Sequence, residues 1–213
     1  MAEVKELAAK ARELQKKGLK PFEIGDELHL GVDTVTYLLE EGAEGTLPPS
    51  DVKIGWRSLG VSAHRMWLTG EILADMAREE LDRQGVKADS VAGIALNGVS
   101  FAGTIAQIIE AEVIVYRPPS ERANSGGAFS SNYASPKGKK VVVVDDVLST
   151  GHAMESAVND IRESGGEPVV CLVMVNKSSL DDIGGVRLRG MIRARSIGGT
   201  ILGGGPLRSF AYK

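Results

Sequence analysis

The sequence predicts an α/β protein: a mainly parallel sheet covered by helices on both faces, preceded by a small all-helical unit. Three observations carry that expectation. Short continuous apolar runs alternate with helical stretches from residue 91 onward, the pattern of strands buried on both sides. The first 40 residues show helical spacing of their apolar positions. Between the two parts lies 42–50, broken by Gly45 and Pro48-Pro49, which reads as a linker. The expected domains are 1–45 and 46–213.

Taken in order, Val4, Leu7, Ala8, Ala11 and Leu14 follow helical spacing, and Gly18 supplies a stop. Pro21 suits the first turn of a second helix with Phe22, Ile24 and Leu28 on its apolar side. After His29-Leu30-Gly31 comes a third short helix, with Val32, Val35, Leu38 and Leu39 inward. Helix, short helix, glycine-containing turn, helix is the outline of a helix-turn-helix. Beyond the linker, 62–83 reads as a long amphipathic helix whose apolar positions include Met66, Ile72, Leu73, Met76 and Leu81. Strands are expected at 91–96, 113–116, 141–144 and 168–175. Helices are expected at 101–110 and 152–163, the latter ended by Gly165-Gly166. The stretch 117–139 is rich in Ser, Gly, Asn and Pro and lacks periodicity; a loop of that length in a compact domain is usually functional.

Composition narrows the function classes. With 43% hydrophobic, 25% charged and only 5% aromatic residues, the core rests on Val, Ile, Leu and Ala. A net charge of -3 exerts no overall pull toward nucleic acid. Residues 1–50 carry six Lys or Arg against ten acids, a poor balance for an isolated DNA binder. The single cysteine, Cys171, sits in an apolar run and is expected to be a buried, reduced core thiol. No run approaches the ~20 apolar residues of a membrane span, and the charged N-terminus has no signal-peptide core. A cytoplasmic protein is expected.

The chemistry concentrates at 141–151, where Val141 to Val144 lead into Asp145-Asp146 and then Ser149-Thr150-Gly151. In an open parallel sheet, ligands bind beyond the carboxyl ends of the strands. Two adjacent carboxylates leaving an apolar strand are costly to bury and should be hydrated or engaged by a ligand. Small residues before the next helix let the backbone wrap a phosphate, hydroxyls add donors, and the helix N-terminus adds N–H groups and a favourable dipole. Acceptors for sugar hydroxyls thus lie one turn from donors for a phosphate, a spacing that suits a ribose 5-phosphate.

The segment resembles the motif by which type I phosphoribosyltransferases bind phosphoribosyl pyrophosphate (PRPP). That resemblance implies their fold, a mainly parallel sheet flanked by helices with a small hood. It implies that Asp145 and Asp146 contact the ribose hydroxyls and that Ser149, Thr150, Gly151, His152 and Ala153 cradle the 5-phosphate. The turn Ala95 to Gly103 stands where the family places its pyrophosphate loop, here Leu96, Asn97, Gly98 and Val99, with Mg²⁺ accompanying bound PRPP. No residue is assigned as a protein ligand to a metal. The orotate phosphoribosyltransferases are the nearest branch, over roughly residues 55 to 205.

Two segments depart from those enzymes. Their mobile loop supplies lysines in a Lys-x-x-Lys-x-His-Gly-like pattern, which would stabilise the departing pyrophosphate. This chain has Arg117 and Arg122 there and no lysine before Lys137. After the strand ending at Val175 the enzymes carry Asp-Arg, whose arginine reads the base; here stand Asn176-Lys177, and Lys lacks the planar fork of Arg. No catalytic residue is assigned on these grounds.

The joint arrangement of N-terminal helices and PRPP-type domain resembles the archaeal GfcR-type transcription regulators over the full length. That resemblance implies DNA as a partner and a homodimer matched to a two-fold operator. In the third helix Thr34, Thr36 and Tyr37 are the candidates to touch DNA. Two functions remain open: a ligand-responsive regulator of sugar or nucleotide metabolism, and an active phosphoribosyltransferase acting on orotate or another base. The missing loop lysines favour the first. Gly198-Gly199 and Gly203-Gly204-Gly205 lack a dinucleotide-binding context and are expected to be turns near the hood. His152 is expected to donate within the phosphate loop, His29 and His64 to be structural or at the surface, and Trp56 and Trp67 to be core or dimer contacts.

Overall fold

The computed structural model describes residues 2–40, 51–121 and 128–195. The linker 41–50, Arg122 and the glycines at 198–205 lie outside the described residues.

Helices α1 (Ala2–Lys16), α2 (Pro21–Leu28) and α3 (Val32–Leu39) form the N-terminal unit. Its core is small: Ala11, Ile24, Leu28, Leu30, Val35 and Leu38, with Leu7, Ala8 and Leu14 packed against it. These are largely the positions that the helical spacing marked. Pro21 opens α2, where its missing N–H costs nothing. Glu23 reaches back to the Lys20 N–H at 2.7 Å, fixing the first turn. His29 ends α2 in a left-handed conformation (φ 56°), which turns the chain sharply into α3.

The larger unit opens with a one-turn helix α4 (Arg57–Gly60) and the long α5 (Ala63–Gln84). Ser62 caps α5 by accepting from the Arg65 N–H, and Gly85 closes it with φ 65°. Its sheet has the order β2-β1-β3-β4-β6-β5, from β1 (Ser90–Ile94), β2 (Glu112–Tyr116), β3 (Lys140–Leu148), β4 (Glu167–Asn176), β5 (Asp182–Ile183) and β6 (Val186–Arg193). The first five in that order pair parallel and β5 pairs antiparallel to β6. One face packs α5 and α6 (Asn97–Ile109) around Leu73, Ala77, Phe101 and Ile105; the other packs α7 (His152–Glu163) through Met154, Ala157, Val158 and Ile161.

The expectations need correction at several points. Helix α6 begins at Asn97 rather than 101, because Asn97-Gly98-Val99 form its first turn instead of a loop. Strand β1 ends at Ile94, two residues early, and β3 continues four residues past Val144. Strand β6 was not foreseen: its alternation of Arg with Val, Leu and Ile differs from the continuous apolar runs of the central strands. Ile72 is 49% exposed and lies outside the core; Trp67, 40% exposed, is not a core residue, which leaves the dimer contact as the open half of that expectation. Cys171 is fully buried in β4, as expected.

Candidate functional site

The carboxyl ends of β1 and β3 open on a cavity of about 180 Å³, the location at which open parallel sheets bind ligands. Because β3 runs on to Leu148, Asp145 and Asp146 are held by the sheet rather than standing beyond it. Asp146 is 3% exposed. Its Oδ2 accepts from Trp56 Nε1 at 2.6 Å and from Asn97 Nδ2 at 3.1 Å. The His29 Nε2 lies 3.4 Å from the same oxygen. Asp145 is half-buried and accepts the Asp146 N–H at 2.9 Å. Burial, then the neighbouring Asp146 charge, with Asp26 adding to it, push the Asp145 carboxyl well above the ordinary range.

Ala95, Leu96 and Asn97 form the opposite wall. Leu96 is 78% exposed, and the Ala95–Leu96 peptide is cis. A Cβ on Gly98 would run into the Val144 carbonyl, and one on Gly93 would meet Val99 Cα at 2.6 Å. The start of α6 is therefore pressed onto β1 and β3, which is what lets Asn97 reach Asp146.

The stretch after β3 makes an anion cradle. Gly151, at φ +86°, supplies the left-handed turn into α7. The Thr150 N–H, the Thr150 hydroxyl and the Ala153 N–H converge on one point at that helix N-terminus. A carboxylate fills it: Asp26 of α2 accepts from these groups at 3.2, 2.7 and 3.1 Å. The His152 N–H donates to Thr150 Oγ1 at 3.2 Å, and its ring centroid lies 4.1 Å from that of Phe22. Ser149 Oγ is buried and has no hydrogen-bond partner among the described residues.

Other expected site residues are not brought to the cradle. Arg117 follows β2 with its N–H on the Ala128 carbonyl at 2.7 Å, and Pro118, Pro119 and Ser120 line the cavity there. Asn176 is fully buried and shapes its own turn, accepting from the Ser178 N–H and hydroxyl at 2.8 Å. Lys177 grips the N-terminal part of the chain: its ammonium donates to the His29 carbonyl and pairs with Asp51 at 2.9 Å. Asp51 also accepts the Gly31 N–H at 2.7 Å. Burial raises the Asp51 carboxyl, but Gly31, Lys177 and the Val52 N–H together outweigh that and hold it below the usual range. In α3, Thr34 is half-buried, the Thr36 hydroxyl donates to the Val32 carbonyl at 2.9 Å, and Tyr37 packs against the small core.

Sequence reading missed Asp26, His29, Trp56 and Asp51 as site residues. Only Asp26 carried a signal: an acid near the end of a short helix sits at the wrong pole of the helix dipole. Among the described residues no cluster of His, Cys, Asp or Glu is arranged to hold a metal, and no helix is long and apolar enough to cross a membrane.

Comparison with known proteins places this geometry. Residues 68–182 match the phosphoribosyl transferase domain. The transcriptional regulator GfcR of Thermoplasma acidophilum is 44% identical over 202 residues, covering 94% of this chain and 100% of the relative. The chain belongs to the GfcR family. Its likeness to the GfcR of Picrophilus torridus is 42% over 193 residues, covering 91% of this chain and 98% of that one. Among solved structures, orotate phosphoribosyltransferase from Aeropyrum pernix superposes with a TM-score of 0.53 at 25% identity, covering 71% of this chain and 82% of that one. The Mycobacterium tuberculosis orotate enzyme in complex with PRPP shares the fold, with a TM-score of 0.52 at 20% identity over 66% of this chain and 80% of that one. A GfcR-family chain thus carries the type I phosphoribosyltransferase fold behind an N-terminal helical unit.

Proposed function

We propose that the protein is a DNA-binding transcription regulator whose phosphoribosyltransferase-like domain takes PRPP, or a related phosphoribosyl compound, as effector. Residues 1–45 would read DNA, with Thr34, Thr36 and Tyr37 toward it, and 46–213 would bind the effector. Family membership supports the regulator. The observation that carries the ligand is the cradle: three donors from Thr150 and Ala153 already hold an anion at the α7 N-terminus. The ribose hydroxyls would fall to Asp145 and Asp146, the 5-phosphate to Ser149 through Ala153, and the diphosphate to Leu96 through Val99. Among the described residues lining the cavity there is no Lys or Arg, so Mg²⁺ bound with the diphosphate would supply the missing positive charge. Asp145, which lines the cavity beside Asp146, fits as its protein partner; Mg²⁺ characteristically combines one or two carboxylates with phosphate oxygens.

The regulator would work in the cytoplasm as a homodimer, two helix-turn-helix units meeting two half-sites. Leu68 and Ile72, one helical turn apart on α5, and the adjoining Trp67 are exposed apolar surface available for that contact.

The superfamily is of glycosyltransferase type, so transfer of the phosphoribosyl group to orotate or another base is the competing function. Lys177 weighs against it: at the position corresponding to the base-reading arginine, the side chain is engaged by Asp51 and the His29 carbonyl. The test is DNA binding to the chain's own upstream region across a salt series, with and without PRPP, beside a Mg²⁺-dependent turnover assay with orotate and the common bases. Sequence-selective, salt-dependent binding that PRPP changes is expected. Robust turnover with any base, or no selective DNA binding in either state, would overturn the regulator.

A further inference from the structure

The cradle that suits a 5-phosphate is filled by the protein's own N-terminal unit. Asp26 presents both carboxylate oxygens to it, Oδ1 to the Thr150 N–H and hydroxyl and Oδ2 to the Ala153 N–H. A carboxylate here has the charge and the acceptor directions of a phosphate edge. Its position in α2 explains little else. An acid in the last turn of a helix opposes that helix's dipole, whereas the same acid at the N-terminus of α7 is favoured by that dipole and by the exposed N–H groups.

The surroundings extend the contact. His29, the residue that ends α2, places Nε2 3.4 Å from Asp146, so the same helix end covers both the phosphate cradle and the buried acid. Lys177 ties the turn down through the His29 carbonyl and Asp51. Gly25 fits its place because it lacks a side chain: a Cβ there would meet Thr150 Cγ2 at 2.9 Å. Glu23, Asp26 and Glu27 of α2 line the cavity together with Asp145 and Asp146. A phosphoribosyl compound, itself anionic, is repelled by these three further carboxylates and cannot share the donors that Asp26 already occupies.

We propose that Asp26 is an internal phosphate mimic that latches the helix-turn-helix unit onto the effector site, so that the 5-phosphate of the effector and Asp26 bind in competition. Effector binding then frees α2 and the unit built on it. That is the differential contact a ligand must make to shift one domain arrangement into another. The proposal rests on the phosphoribosyl reading of the cradle. It adds the route by which the ligand is sensed. The latch also lowers apparent affinity, because only the unlatched fraction is competent to bind.

The test uses the full chain with spin labels on Gln15→Cys and Glu163→Cys, both exposed positions on α1 and α7; the native Cys171 is fully buried. Distances are measured with and without ribose 5-phosphate, and its affinity is measured by calorimetry, for this protein and for its Asp26→Ala variant. Far-UV circular dichroism checks that the helices persist. The expected result is one narrow distance that ribose 5-phosphate broadens. Asp26→Ala should be broad without ligand and bind ribose 5-phosphate at least tenfold tighter, a gain of ~1.4 kcal/mol. Asp26→Asn, with one acceptor and no charge, should fall between the two. If Asp26→Ala keeps both the narrow distance and the original affinity, the latch is wrong while the ligand site stands. If neither protein binds ribose 5-phosphate or PRPP, the phosphoribosyl reading fails and the competition fails with it.

Discussion

Trp56 and Asp146 are 90 residues apart in sequence and joined by a 2.6 Å hydrogen bond. Trp56→Phe removes the donor and keeps an aromatic ring against Phe101, whose centroid lies 6.2 Å away. A hydrogen bond to a charged acceptor contributes roughly 1.5–3 kcal/mol. The upper half applies here, because Asp146 is 3% exposed and, among the described residues, keeps only Asn97 at 3.1 Å and the His29 Nε2 at 3.4 Å. The smaller ring also leaves space beside Gly60, where a Cβ would meet the indole at 2.8 Å, adding about 1 kcal/mol of lost packing. The total is about 3.5 kcal/mol. At roughly 2–4 °C per kcal/mol for a chain of this size, the melting temperature should fall by about 7–14 °C. Thermal unfolding of wild type, Trp56→Phe, Asp146→Ala and the double variant separates the hydrogen bond from the packing loss. A coupling of about 1.5 kcal/mol or more is expected between the two sites, and one below ~0.5 kcal/mol would refute the reasoning.

Asp145→Asn should stabilise the ligand-free protein while weakening binding of PRPP. Its folded carboxyl is raised above the unfolded value, so its contribution to stability is full at low pH and is lost as pH rises through the folded value. The gain in melting temperature should therefore be larger at pH 8 than at pH 4; equal gains would contradict it. Asp51 works the other way: its lowered carboxyl stabilises above the ordinary range and loses that effect only as pH falls below about 4. Spin labels on α1 and α7 should accordingly hold their distance from neutral pH down to about pH 5, and separation already at pH 6 would contradict it. Gly98→Ala should cost about 1–3 kcal/mol, read in urea, because the added Cβ meets the Val144 backbone carbonyl rather than a side chain that can move. Cys171, its thiol pushed up to about 12 by burial, should resist a thiol reagent at pH 8 in the native protein and react on denaturation; rapid native labelling would place it elsewhere.

What the sequence made legible follows its periodicity. The central strands announce themselves because both faces are buried, so Val141 to Val144 and Val170 to Val175 are apolar without interruption. The three N-terminal helices were readable from the helical spacing of Ala11, Ile24, Leu28, Val35 and Leu38, which places one apolar face of each helix inward. Strand β6 was not, since Arg187 and Arg189 alternate with Val186 and Leu188, and its recognition depends on pairing with β4. The cradle residues were readable because a strand, two acids and a small-residue turn act within eleven positions. Asp26, His29, Asp51 and Trp56 were not, because their roles exist only once α2 and the segment before α4 lie across the sheet's carboxyl end.

Those four residues also change what the departures from the orotate enzymes mean. Taken singly, Lys177 in place of a base-reading arginine looks like the loss of a function. In the folded chain it is one side of a buried pair with Asp51, beside the His29 carbonyl. Breaking such a pair by removing one partner costs far more than an exposed pair would. The segment that would face a base in an enzyme instead faces the helix-turn-helix unit. The cradle shows the same substitution of partner, with Asp26 where a phosphate would sit. On the proposed reading, a site whose contacts run to its own N-terminal unit rather than to a second substrate would report occupancy. Lys177→Met, which keeps the stem's volume, separates the two readings: a sensor should lose coupling between PRPP and the spin-label distance, whereas in an enzyme the change should act on turnover.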